Sequence, residues 1–315
     1  MRGGISILLG VVISILINGC ALEEATQVDQ KLIIASDYLT AQDTILFQSF
    51  SNATGIRIRI LTLSPEKIVE HLKNQNADAQ FDLVMLGKLS SVLEFDEIKF
   101  HYLSDKYLAK YASNLKVFHN REWIVTGLDP YFFSFERDTV NRPETYNQLG
   151  SGFLWASPDR ESWDLFDVHF NYYLSGINNE EANKIQEQFD RNQVVYQLPN
   201  DSIVNQQFLL LKNSTYFSDQ TLNKNTKREL SKSTNFKTGG VFADRHCLAI
   251  VDQARNLGNA SDFLSYWDEH YNRDNFSPGK GSYPYPDKNG ISNGVDFFMI
   301  SEDKILEMLK IQKIK

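Results

Sequence analysis

Three side chains able to hydrogen-bond, Ser36, Asp37 and Tyr38, follow directly on the apolar run Leu32–Ala35 in the stretch KLIIASDYLT. A polar loop at the carboxyl end of a strand, feeding a helix, is where open α/β sheets place ligands. These three are therefore the first candidates for a binding site. Catalytic chemistry finds less support. The six histidines, His71, His101, His119, His169, His246 and His270, form no HExxH or HxxxH pair, so no helical zinc site is encoded. No G-x-S-x-G elbow is present, and no glycine-rich phosphate loop follows a strand. Asp164 and Asp167 stand at helical spacing, where such a pair reads as a solvated face or as partners of the helix dipole.

The two cysteines and the amino terminus address compartment. Met1-Arg2, the apolar run Ile5–Ile17 and Asn18-Gly19-Cys20 form a charged start, a short apolar core and small residues before a cut, which is a secretory signal. Its ending, INGC, is similar to a bacterial lipobox, and that similarity implies lipidation at Cys20. An uncleaved apolar anchor is the alternative. Both place the body on the periplasmic or extracellular side, tethered to a membrane. Residues 1–19 are thus expected to be the signal and 20–30 a polar tether. Cys247 then has no partner, and within RHCLAIV it reads as a buried, inert thiol. The net charge of −8 argues against nucleic acid as a partner.

The elements that must position the polar loop alternate between the two periods. KLIIAS reads as a buried strand, and AQDTILFQSFSNATG as an amphipathic helix closed by Gly55. IRIRILTL alternates strictly, as a strand with one polar face does. SPEKIVEHLKNQNA opens with Ser64 as cap, Pro65 at the first helical position and Glu66 in the first turn. FDLVMLG is a third buried strand, with a short helix in KLSSVLEFDEI. Such alternation predicts βαβ units and a mostly parallel sheet covered on both faces. Further on, EWIVTGLDPYFFSFERDTV reads as two strand runs broken at Gly127–Pro130. GFLWASP reads as a strand, Ser162–Leu174 as a helix, and DSIVNQQFLLLKN as a helix capped by Asp201. GGVFADRHCLAIV reads as a strand pair and NASDFLSYWDEHY as a helix. The expected body is two α/β lobes, residues 31–128 with 237–315 and residues 129–236. Two crossings near Val125–Asp129 and Asn235–Val241 serve as hinges, and a ligand cleft lies between the lobes.

The order of these segments resembles the periplasmic solute-binding proteins of ABC transporters, in the branch of the ferric-ion-binding proteins. The resemblance is carried by IIASDYLTAQDTILFQSFSNATGI, AQFDLVMLGKLSSVLEF, WIVTGLDPYFFSFERDTVNRPETYNQL, GFLWASPDRESWDLF, CLAIVDQARNLGNASDFLSYW and GSYPYPD, in the family's order over residues 31–290. It implies a two-lobed periplasmic-binding-protein-like fold (type II), no enzymatic activity, a small-molecule or metal-ion ligand, an ABC permease as partner and a membrane contact through the lipid. Relatives in this branch hold Fe3+ largely through tyrosine phenolates, which suit a hard trivalent cation. The matching segment, KNSTYFSD, keeps Tyr216 but has Phe217 in place of a second phenol, and a further family tyrosine, in the loop after the ASP-like strand, is replaced near Trp163. The implied site comprises Ser36, Asp37, Tyr38, Ser157, Trp163, Asn205, Tyr216 and Phe217, with Tyr216 as the metal ligand if iron is the cargo. An anionic or organic solute stacked on Trp163 or Phe217 is the other reading. A sensor or accessory lipoprotein on the same fold is the alternative to a transport role, and a hydrolase is the least supported.

Overall fold

The computed structural model describes residues 31–39, 41–74, 81–111, 115–136, 154–157, 160–189, 193–196, 207–212, 228–231, 240–252, 254–270, 283, 285, 291–292 and 295–314. Strand β1 (Lys31–Ser36) lies between β2 (Arg57–Thr62) and β3 (Leu83–Leu86), parallel to both. The helices linking them are α1 (Ala41–Thr54) and α2 (Pro65–Asn74). Gly55 ends α1 at φ +74° with its N–H on the Ser51 carbonyl at 2.9 Å, a left-handed stop that costs glycine little. A 3-10 helix, Leu89–Phe95, follows β3. Helix α3 is Asp105–Tyr111, and the short strand β4 (Lys116–Phe118) pairs with β5 (Trp123–Glu136).

Strand β5 runs unbroken for 14 residues, where the sequence had indicated two runs. Its pairing with the neighbour β10 (Ala243–Ile250) carries one irregularity. His246 faces Gly127 and Cys247 faces Val125, so Thr126 is the extra residue of a β-bulge. Pro130, which has no N–H to give, sits within the same strand opposite Ala243. Beyond it, β5 pairs with β8 (Gln207–Lys212) and β9 (Arg228–Ser231), and β8 pairs with β6 (Leu154–Ser157), which pairs with β7 (Gln193–Tyr196). The full path is β2-β1-β3-β10-β5-β8-β6-β7, with β4 and β9 branching from β5. QFLLLK is therefore a strand, β8, and not the end of a helix. A six-residue apolar run flanked by polar residues is ambiguous by period, and a place between β5 and β6 decides it.

Helices α4 (Arg160–Ser175) and α5 (Asn179–Phe189) follow β6, α6 (Leu257–His270) follows β10, and α7 (Glu302–Ile314) ends the chain after the small pair β11 (Ile291–Ser292) and β12 (Val295–Asp296). One apolar layer, with Phe50, Phe263, Leu264 and Trp267, packs α1 and α6 on the β1–β3–β10 face. The other core, on the opposite face, runs from Phe81 and Phe95 through Trp123, Tyr131 and Phe242 to Phe166, Phe170 and Phe189. That second core is continuous from the first group of strands to α4 and α5. Among the described residues no helix is long and apolar enough to cross a membrane.

Candidate functional site

Three parallel strands deliver their polar groups to one edge, as the sequence pattern predicts for Ser36–Tyr38. After β1, the Asp37 carboxylate accepts the Gly87 N–H at 2.7 Å, and the Asp37 N–H donates to the Met85 carbonyl at 3.3 Å. After β2 comes Ser64–Pro65–Glu66, the opening of α2, with the Ser64 carbonyl accepting the Ile68 N–H at 3.0 Å. After β3 comes Gly87-Lys88. These loops face the first turns of α4 across a cleft of about 730 Å³. Lys88 Nζ bridges to Glu161 Oε2 at 2.7 Å, and α7 closes one side through Gln312, whose Nε2 donates to Asp167 Oδ2 at 2.7 Å.

The lining is acidic. Among the described residues, Asp37, Glu66, Glu94, Glu161, Asp164 and Asp167 accompany two cations, Lys88 and Arg160, and both cations lie near carboxylates of the same lining. Burial holds the Asp37 carboxyl above the usual carboxylate range. The Gly87 hydrogen bond lowers it and nearby Asp244 raises it further. Asp244 is itself committed, its Oδ1 accepting the N–H groups of Leu89 and Arg245, each at 2.9 Å.

Of the candidates read from sequence, Asp37 lines the cleft. Ser36 and Tyr38 adjoin it with structural tasks. The Ser36 hydroxyl donates to the Tyr38 carbonyl, and the Tyr38 ring lies 4.3 Å from the His246 ring. Ser157 is buried at the end of β6. Trp163 lies in the core: it is 7% exposed and stacks on Phe189 with rings 5.6 Å apart and 4° from parallel. A ring so packed is a poor platform for a ligand. Asn205, Tyr216, Phe217 and Cys20 lie outside the described residues. The sequence reading passed over Lys88, Glu161 and Gln312. Lys88 carried the same signal as Asp37, a polar residue just past a buried strand, whereas the other two reach the cleft only through the tertiary placement of α4 and α7.

Behind the cleft, at the junction of β10, α4 and α7, lies a buried polar cluster. Arg245 Nε is 3.6 Å from Glu302 Oε1, and both side chains are 1% exposed. Arg245 Nη1 approaches His169 Nε2 at 3.1 Å, and Nη2 donates to the Ile300 carbonyl at 3.3 Å. His169 Nδ1 is 2.8 Å from the Leu165 carbonyl, so it carries the proton and Nε2 is the acceptor for Arg245. Burial, with Arg245 alongside, lowers the His169 pKa to about 3. The Tyr285 hydroxyl donates to Glu302 Oε1 at 3.2 Å.

No family model matches the chain, and no curated protein matches it. Solved structures do. The chain is similar to a Trichodesmium protein (IdiA, FutA) in complex with iron and citrate, at TM-score 0.67 and 15% identity, covering 90% of this chain and 98% of that one. It is similar to Mannheimia haemolytica ferric iron-binding protein A in an open conformation, at TM-score 0.67 and 13% identity, covering 90% and 96%. Iron-bound HitA from Pseudomonas aeruginosa matches at TM-score 0.61 and 12% identity, covering 90% and 97%. Each of the three is described by the iron it binds, and none by a reaction it catalyses. With its strand order, its cleft and these likenesses, the chain has the two-lobed α/β fold of the periplasmic solute-binding proteins, the fold that these ferric-iron-binding structures share.

Proposed function

We propose that the chain is an extracytoplasmic solute-binding protein that captures a small ligand in the cleft and hands it to an ABC permease, held at the membrane by a lipid on Cys20. The observation that carries this reading is the cleft itself: about 730 Å³, polar, built from the carboxyl ends of β1, β2 and β3 on one side and from α4 on the other. Sites of this size between two halves of a fold take small molecules. Residues 31–128 with 237–315 form one lobe and 129–236 the other in this reading, and β5 and the segment before β10 act as hinges. Ferric iron is the cargo that the names of the fold neighbours support, with Tyr216 supplying a phenolate. Ser36, Asp37, Tyr38, Ser157 and Asn205 remain proposed neighbours of the ligand. Trp163 and Phe217 would contribute packing.

Small-angle scattering of the purified chain, with and without candidate solutes, tests the capture reading. A bound solute should reduce the radius of gyration as the lobes close, and unchanged curves across metals, anions and amines would sink it. For iron in particular, a visible phenolate-to-iron band should form and be lost in Tyr216→Phe. Cys20→Ala should abolish lipid labelling while the body stays folded. Retention of label would remove the anchor from the proposal.

A further inference from the structure

We infer that the Lys88–Glu161 ion pair is a releasable latch on the cleft, a role whose use rests on the solute-binding reading. The pair holds the first turn of α4 against the loop after β3, and when it parts α4 swings outward about a fixed, buried base.

Three polar contacts among the described residues tie α4 to the loop after β3, to α7 and to β10, and they are graded by burial. At the mouth, Lys88 Nζ and Glu161 Oε2 are 2.7 Å apart, with side chains 34% and 60% exposed. Further along, Gln312 Nε2 of α7 donates to Asp167 Oδ2 at 2.7 Å in a half-buried contact. At the base, Arg245 Nη1 donates to His169 Nε2 at 3.1 Å, and both residues are 1% exposed. Phe242 packs on the same base, its ring 4.9 Å from that of Phe166 and 5.5 Å from that of His169.

These contacts differ in what it takes to break them. Arg245 is a cation that water does not reach, and parting it from His169 would take away one of its few partners. The base therefore stays shut. The Lys88–Glu161 pair stands in solvent, where such pairs contribute little, open readily and weaken with salt. Glu161 lies eight residues before His169, about 12 Å of helix at 1.5 Å per residue. A contact at the free end of a lever that long governs the width of the mouth while adding little to the stability of the fold.

Helix α4 also carries its own apolar partner. Trp163 stacks on Phe189 of α5 with rings 5.6 Å apart, and Phe170 lies 4.5 Å from the same ring. The two helices therefore swing as a unit with that packing intact. Lys88 and Glu161 stand on opposite walls of the cleft. Ionic strength, or a solute that competes for either side chain, then opens the mouth.

The test uses the ligand-free full chain in a Cys20→Ala background, where Cys247 is buried and escapes labelling. Spin labels on cysteines placed at the exposed Lys67 of α2 and Glu187 of α5 report the separation of the walls by pulsed electron resonance. At low salt the parent should give one short, narrow distribution. Lys88→Gln and Glu161→Gln should each raise the ratio of long to short separations about two- to fivefold, the range that an exposed pair sets. Sodium chloride at about 0.5 M should do the same to the parent and add nothing to the variants. The exchanged pair, Lys88→Glu with Glu161→Lys, should restore the parent distribution, which a loss of packing would not. Thermal melting of each variant is the folding control. Separations that ignore both the substitutions and salt overturn the latch, as does an exchanged pair that behaves like the single variants. These outcomes are read without a solute, so the solute-binding reading stands or falls separately: it fails if none of the metals, anions and amines shortens the separation in Glu161→Gln.

Discussion

Two titrating side chains, Asp37 in the cleft lining and the buried His169, push stability in opposite directions with pH. Asp37 holds its proton more firmly folded than unfolded, because burial and Asp244 outweigh the Gly87 hydrogen bond. Its contribution to stability therefore declines as pH rises through the carboxylate range. Asp37→Asn keeps an acceptor for Gly87 and removes the charge. Chemical denaturation from pH 4 to 7 should show the variant gaining on the parent as pH rises, and the reverse order would mean that a cation satisfies Asp37 in the free protein. Gly87 is constrained from the other side: a Cβ there would lie 3.0 Å from Tyr38 Cγ. Gly87→Ala should cost about 1–3 kcal/mol by overpacking, and the cost should shrink in a Tyr38→Ala background, which removes the ring atoms but keeps the Cβ at 3.1 Å. Asp37 and Lys88 were within reach of sequence logic because each follows a buried strand, and topology fixes where strand ends point. Trp163 misled that logic. Its place after a strand matched the binding loops, but nothing local distinguishes an aromatic that faces a ligand from one that stacks on Phe189.

Among the elements, β10, α4 and α7 are joined through one buried ion pair. Removing one member of such a pair leaves the other charge buried and uncompensated, so Glu302→Gln should cost about 3–5 kcal/mol by urea denaturation. A loss below about 1 kcal/mol would show that water reaches Arg245. His169 adds an acid-sensitive component. The unfolded chain protonates it near 6.5 and the folded chain near 3, so stability should fall as pH drops across that window. In His169→Gln, which still offers Arg245 an acceptor, this acid slope should flatten, and an unchanged slope would assign it elsewhere. None of this network was legible in sequence, because Arg245, Glu302 and His169 lie 57 to 133 residues apart with no shared motif. The strands and helices of the first half were legible, since Ile56–Ile60 alternates, Ser64-Pro65-Glu66 caps, and Gly55 stops a helix. QFLLLK and the β5 run were misread for one reason. A short apolar segment takes its conformation from its neighbours, and a bulge at Thr126 hides a break that the local residues advertise.

At the scale of the molecule, alternating strands and helices were enough to place the chain among two-lobed α/β folds, because few topologies satisfy that pattern. Pattern alone does not reveal how the halves share their interior. Strand β5 belongs to both groups of strands, and the core that passes through Trp123, Tyr131, Phe242 and Phe166 has no seam along the cleft. A chain that looks like two domains should then melt as one. Differential scanning calorimetry of the ligand-free protein should give a single transition with equal calorimetric and van't Hoff enthalpies, and two resolved peaks would show that the halves are autonomous. Amides of Ile124–Leu128 should be among the slowest to exchange, opening only with global unfolding. The same shared strand implies that neither half, expressed alone, would have a complete sheet to fold onto. A circular permutant that cuts β5 would lose cooperativity before it lost helical content, and the lobes would fail as a unit.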